Sequence, residues 1–241
     1  HFGKRYSNTR NLTLADLDQD GDIDILITNR GQENEICLNN GKGEFSAPIG
    51  FGAKDDSTID VEVSDMDADG DLDLILANRD GQSNAVYLNG GKLDFSTKIL
   101  FGTGTDETRA VAIADINQDG FKDIITANIG QENTIYFGDK EMSFKKSLVY
   151  DTGKDLSYSV TTSDLDLDGD MDIVVANVRG TNSVFLNNDD GTSWTKMSVG
   201  PAFNSYDVLA TDLNGDGRPD LLEANSDEQN VFHMNLPKRK R

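Results

Sequence analysis

The chain has 241 residues and carries 43 Asp and Glu against 22 Lys and Arg, a formal charge of −21. Phosphate binding needs a basic surface, so this balance excludes a nucleic-acid partner. No apolar run approaches the roughly 20 residues of a helical membrane span, which excludes membrane insertion of that kind, and the lone Cys37 has no second cysteine to pair with.

From the start of the chain, a strand at 11–15 leads into an acidic loop at 16–24, an apolar strand at 25–28, a polar turn at 29–34, a third strand at 35–38, and a Gly-rich hairpin into a fourth at 45–51. The same order recurs after Asp65, Asp115, Asp164 and Asp212, at steps of 48 to 50 residues. Four strands in such a period is the size of one β-propeller blade. The units fall at about 7–55, 56–105, 106–154, 155–203, and 204–241 together with 1–6, all within a single domain.

Each loop reads Asp-x-Asp/Asn-x-Asp-Gly-x-x-Asp. The residues are Asp16, Asp18, Asp20 and Asp24; Asp65, Asp67, Asp69 and Asp73; Asp115, Asn117, Asp119 and Asp123; Asp164, Asp166, Asp168 and Asp172; and Asp212, Asn214, Asp216 and Asp220. Calcium takes six to eight hard oxygen ligands, and alternate short side chains at positions one, three and five can converge on one ion. Position seven would add its backbone carbonyl, from Asp22, Asp71, Phe121, Asp170 and Arg218, and the Asp at position nine would close the cage. Glycine at position six allows the sharp turn. An acidic, solvated turn is the plainer alternative, but five copies of one oxygen pattern favour about five calcium ions, one per blade. Calcium sites of this kind in extracellular modules work at millimolar levels, which points to the cell exterior, the cell surface or the periplasm.

The text DLDQDGDIDILITNRGQENEICLNNGKGEFSAPIGFG at 16–52, with versions in every unit, resembles the FG-GAP or VCBS-type repeats of integrin α-subunit propellers and bacterial surface proteins. That resemblance implies a propeller fold, calcium in the acidic loops, and an extracellular role in adhesion or ligand binding. The fold expected is all-β: a ring of five four-stranded blades, the last completed by both termini because Phe2-Gly3 matches Phe51-Gly52. The alternative is a slice of a seven-bladed propeller, and a chain that begins at His1 reads as processed or trimmed.

Several repeated residues read as scaffold. Asn29, Asn78, Asn128, Asn177 and Asn225 end the second strands, and Asn34, Asn84, Asn133, Asn182 and Asn230 begin the third, where their side chains can bond the turn backbone. Cys37, Tyr87, Tyr136, Phe185 and His233 share one register position, so His233 reads as a satisfied strand residue, and Trp194 as core filling.

Recognition is expected on the face opposite the calcium loops. There Arg10, Ile59, Arg109, Tyr158 and Tyr206 stand at one equivalent position in the first strands, and Arg30, Arg79 and Arg179 follow the second strands. Arginine pairs with carboxylates and tyrosine stacks, so a carboxylate-bearing glycan or an acidic protein segment is the expected ligand, of a monomeric domain or a part of a larger chain. Two other functions fit: a polysaccharide lyase or glycoside hydrolase, for which no catalytic constellation stands out, and a purely structural module of a surface protein. The basic end from Pro237 reads as a solvated tail.

Overall fold

The computed structural model describes every residue except Arg5, Lys154, Asp189 and 238–241. The basic tail therefore lies outside the described residues beyond Pro237. Two compact units are formed, His1–Val111 with Gly138–Lys145, and Ala112–Phe137 with Lys146–Arg241.

Among the described residues all regular structure is antiparallel strand, in four sheets. The first sheet holds β1 (Thr9–Ala15), β2 (Asp24–Asn29), β3 (Asn34–Cys37) and β4 (Ile49–Phe51), and the second β5 (Thr58–Ser64), β6 (Asp73–Asn78), β7 (Asn84–Leu88) and β8 (Thr97–Phe101). The third holds β9 (Thr108–Ala114), β10 (Asp123–Asn128), β11 (Asn133–Tyr136) and β12 (Ser147–Asp151). The fourth has five strands: β13 (Leu156–Ser163), β14 (Asp172–Asn187), β15 (Trp194–Thr211), β16 (Asp220–Asn225) and β17 (Val231–His233). Each sheet is a meander in which every strand pairs with its sequence neighbour.

The second strands β6 and β10 are buried at every position. Their unbroken apolar runs suit strands covered on both faces, and β-branched residues pack well there. In the first unit the core joins two sheets: Leu17, Leu26, Ile36 and Phe51 of one meet Val61, Leu74, Leu76 and Tyr87 of the next. In the second unit Val174, Ala176 and Val184 meet Val208 and Leu221.

The paired asparagines fasten this arrangement. Asn34 Oδ1 accepts from Asn29 N at 2.8 Å, and Asn29 Nδ2 donates to Glu33 O at 2.9 Å, so the turn is tied by its own side chains. Asn34 Nδ2 then donates to Thr58 Oγ1 of the following sheet at 2.8 Å, and Asn84 to Thr108, Asn133 to Ser157 and Asn182 to Ser205 repeat the bond at 2.8–2.9 Å. Each buried amide thus closes its turn and clasps the next first strand.

The expected five blades become four, and a ring of five four-stranded blades closed by both termini does not describe this chain. In the first two units a Phe-Gly pair with glycine at φ 76° and 87° ends the fourth strand, and Asp56 or Asp106 accepts the N–H of Ala53 or Thr103 at 2.6–2.7 Å to turn the chain into the next sheet. Phe203 stands at the equivalent place after Gly200 and has no carboxylate to make that turn. The backbone stays paired instead, with Gly180 opposite Phe203 and Val178 opposite Asn204, so β15 runs 18 residues without a break. The last unit's strands therefore extend the fourth sheet, and Phe2-Gly3 forms no strand.

Candidate metal centres

Every acidic loop joins the first strand of a unit to its second, and left-handed backbone sets its path. Position four takes φ of 57–64° at Gln19, Ala68, Gln118 and Leu167, and position six takes 82–100° at Gly21, Gly70, Gly120, Gly169 and Gly217. A Cβ on these five glycines would meet nothing within 4 Å, so the dihedral and not crowding requires glycine. The sequence pattern points to position six but not to position four, where only the last loop has a glycine, Gly215.

The carboxylate at position one accepts the N–H of that glycine at 2.8–3.1 Å in all five loops: Asp16, Asp65, Asp115, Asp164 and Asp212. At position nine Asp24, Asp73, Asp123, Asp172 and Asp220 are fully buried. One oxygen of each accepts the position-two N–H, at 2.7–3.1 Å from Leu17, Met66, Ile116, Leu165 and Leu213. The other oxygen of Asp24, Asp73, Asp172 and Asp220 accepts the N–H of Asn39, Asn89, Asn187 or Asn235 at 2.7–2.8 Å. The ninth residue thus closes the loop and ties it to the end of the third strand.

Three loops bring carboxylate oxygens from positions one, three and nine within 4.8 Å of one another: Asp16, Asp18 and Asp24; Asp65, Asp67 and Asp73; Asp164, Asp166 and Asp172. Asp20, Asp69 and Asp168 at position five lie outside these groups and accept the N–H of Asp22, Asp71 and Asp170 at 2.9–3.0 Å. Asp119 and Asp216 do the same for Phe121 and Arg218 at 3.0 Å, so the turn is indifferent to the side chain at position seven. Adjacent loops touch through position four. Gln19 Nε2 donates to Gly70 O at 2.7 Å and to Asp71 Oδ1 at 3.1 Å, and Gln118 donates to Gly169 O and Asp170.

The charge is poorly compensated by the protein itself. Burial, followed by the neighbouring carboxylates, pushes the Asp18 and Asp67 carboxyls up, and burial pushes Asp73 and Asp172 up to about 6 despite their backbone donors. The buried Oδ1 atoms of Asp16 and Asp65 have no hydrogen-bond partner among the described residues. Buried oxygens seldom go unmatched, and an oxygen-lined group with an orphaned carboxylate fits a hard cation. Loops three and five offer the amides of Asn117 and Asn214 where the others have a third carboxylate.

On the opposite ends of the sheets the expected recognition residues have varied surroundings. Arg30 holds Asp80 through Nε and Nη2 at 2.8 and 2.6 Å, pushing the Asp80 carboxyl down to about 2, and Arg79 holds Glu107 at 2.8–2.9 Å. Arg10 and Arg179 are exposed, Arg109 is half-buried, and Ile59 is buried. Tyr158 and Tyr206 pack edge to face at 4.9 Å. Beside them in sequence position, Asp60 is buried, accepts from Asn11 Nδ2, Val61 N and Val111 N, and has its carboxyl raised by burial. Burial and then Asp60 raise Glu62 to about 7. His233 Nε2 lies 3.0 Å from Oε1 of buried Glu223 in the neighbouring strand, which gives the histidine a partner.

Among solved structures, 132 chains match significantly. The BBS1N chain of a complex with ARL6DN superposes with a TM-score of 0.64 at 13% identity, over 99% of this chain and 69% of that one. The V. cholerae biofilm matrix protein Bap1 gives 0.55 at 16%, over 90% of this chain and 35% of Bap1. At such identities the likeness shows the fold alone. No curated protein sequence matches. A family model described as FG-GAP-like repeat matches four times, at 16–76, 65–126, 115–175 and 164–223, each match running from one acidic loop past the next. Five loops therefore bound four repeats, and the chain belongs to the FG-GAP-like repeat family, as an all-β protein of β-propeller type with four blades.

Proposed function

We propose that the chain is a calcium-stabilised binding module that works outside the cytosol and takes a glycan or protein ligand on the face opposite its acidic loops. The observation that carries the metal half of this reading is the convergence of three carboxylates in each of three loops, two of them with a buried, unpartnered oxygen. Oxygen-only donors favour calcium, since zinc prefers His or Cys and magnesium keeps more of its water. Loops three and five complete the set with one amide oxygen each in place of a carboxylate. The working compartment follows from the metal, because such sites fill where calcium is millimolar.

The binding half rests on the surface. Exposed Arg10, Arg179 and Tyr206 offer donors and an aromatic face on an acidic chain. Of the similar folds, one was crystallised with a protein partner and another is a biofilm matrix protein, which favours a binding role over catalysis. Isothermal titration of the chelated protein with calcium tests the first half: saturable uptake in three or more sites supports it, and no uptake at millimolar calcium overturns it. A glycan array and a protein-binding screen, run on wild type and on an Arg10→Ala, Arg179→Ala variant, test the second.

A further inference from the structure

An asparagine followed by glycine is where a backbone most readily turns on its own side chain, because glycine has no Cβ to keep its nitrogen away from the neighbouring amide carbon. Three such pairs stand in the sequence, Asn40-Gly41, Asn89-Gly90 and Asn214-Gly215, and the fold treats them differently. Asn89 is buried away from water, and its Nδ2 donates to Leu72 O. Asn40 is exposed but held at both ends, with Nδ2 donating to Glu44 Oε2 at 2.9 Å and Oδ1 accepting from Lys42 N and Glu44 N at 3.0 and 3.3 Å.

Asn214 is held at one end only. It is exposed in loop five, between β15 and β16, where its Oδ1 accepts from Asp216 N at 2.8 Å, and among the described residues nothing meets its Nδ2. The bond to Asp216 folds the amide over the intervening Gly215 peptide and polarises the amide carbonyl. Gly215 N donates in turn to Asp212 Oδ1 at 2.7 Å, so the nitrogen beside the amide carbon already has an acceptor for its proton. These contacts lie within residues 212–216. Nor is openness at position three a property of the last loop: Asp166, its counterpart in a loop touched by Gln118 on one side and Asn235 on the other, is exposed as well. Asn117 makes the same turn to Asp119 N at 3.1 Å, but it is followed by Gln118 and keeps its Nδ2 on Asp119 Oδ2.

We propose that Asn214 is a deamidation site, and that the reaction turns loop five from the amide kind into the three-carboxylate kind. Gly215 N attacks Asn214 Cγ and forms the new N–C bond of a succinimide, while its proton passes by way of Asp212 Oδ1 to the departing Nδ2, which leaves as ammonia. Water then opens the ring. Opening at Cγ restores the peptide and leaves an aspartate side chain, so that positions one, three and nine of loop five carry the same three carboxylates as loops one, two and four. Opening at the main-chain carbonyl leaves isoaspartate, whose extra backbone carbon breaks the turn. That the new carboxylate serves a cation rests on the metal reading above; the covalent step does not.

Peptide mapping by mass spectrometry tests it, on the metal-free full chain held at neutral pH and body temperature and sampled over weeks. Conversion of amide to acid at Asn214 should run at least about tenfold faster than at Asn40, Asn89 or Asn117. Gly215→Ala should slow it at least about tenfold and still fold, since Ala68 takes the same left-handed place in loop two at φ 62°. Asn214→Asp, the product made directly, should add one strong calcium site by calorimetry. Equal rates at the four asparagines, a Gly215→Ala chain that converts as wild type does, or an Asn214→Asp chain that binds calcium only as a calcium-binding wild type does would each overturn the proposal. Calcium uptake by neither protein would sink the metal reading and with it the gain of a site, leaving the rates to decide the covalent step.

Discussion

The loops that begin at Asp16, Asp65 and Asp164 differ from those that begin at Asp115 and Asp212 by one atom at position three. With Asp there, three carboxylates crowd within 4.8 Å, and the Asp18 and Asp67 carboxyls are pushed up by burial and like charge. With Asn there, one carboxylate is gone and Asn117 Nδ2 donates to Asp119 Oδ2 at 2.9 Å; in the last loop Asp212 accepts from Gly217 and Asp216 and also from Gly215, and these backbone donors hold its carboxyl below the ordinary range. The backbone of both kinds is the same, with the same left-handed glycine and the same buried ninth aspartate. Five copies of one turn are therefore not electrostatically equal: three gather three carboxylates that could hold a cation, and two offer an amide in place of one of them.

Chelation should have the largest effect. A ligand at about 100 times its Kd stabilises by about 2.7 kcal/mol per site, so three sites give about 8 kcal/mol. At about 2–4 °C per kcal/mol for a chain of this size, excess EDTA should lower Tm by about 15–30 °C in a fluorimetric melt. A fall of only a few degrees would show that the three-carboxylate loops do not depend on metal.

Next comes Asp73→Asn, which probes the part common to both kinds of loop. Asp73 is buried and accepts from Met66 N and Asn89 N, and an amide can accept on only one of its two atoms. The unmatched donor pair costs about 2–4 kcal/mol, or about 5–15 °C in Tm, and most of that loss should persist in EDTA. A loss that vanishes in EDTA would make Asp73 a ligand alone and not a clasp.

The loops were the most legible part of the chain, because the identity of each oxygen is written at a fixed spacing and the glycine marks the turn. The asparagine pairs were legible for the same reason, although their bond to the next sheet was not, since Thr58 lies 24 residues from Asn34. The blade number is not legible in the repeats because it hangs on what is missing. Asp56 and Asp106 cap two turns, and only the replacement by Phe203 reveals that β15 continues. Nor could the partners of Arg30 and Arg79 be read, because Asp80 and Glu107 are chosen by the approach of separate strands. Left-handed Gln19, Ala68, Gln118 and Leu167 carry no side-chain signal, since the loop forces a conformation those residues do not favour.

The pH dependence separates metal-free from metal-bound protein. Asp73 and Asp172 titrate near 6 in the folded chain and near 4 when unfolded, so the folded state holds their protons more tightly. Their penalty is absent below about pH 4 and complete above about pH 6, and metal-free stability should fall as pH rises through that window. Calcium needs the deprotonated form, so the gap in Tm between calcium and EDTA should widen over the same interval. A gap that narrows from pH 4 to 6 would contradict the assignment.

The smallest and most specific effect is an exchange at position three. Asp18→Asn gives the first loop the chemistry of the third, and Asn117→Asp does the reverse. In EDTA the first substitution removes a like charge from beside Asp16, Asp20 and Asp24 and should raise Tm slightly, by about 1–2 °C, because Asp18 is exposed and solvent screens its charge. In calcium it should lower Tm, because the ion loses a charged ligand. Asn117→Asp should show the opposite signs in both conditions and add one strong site by calorimetry. Only a cation shared among the carboxylates makes the sign of each change depend on calcium; if position three served the turn alone, both variants would shift Tm in the same direction with and without it.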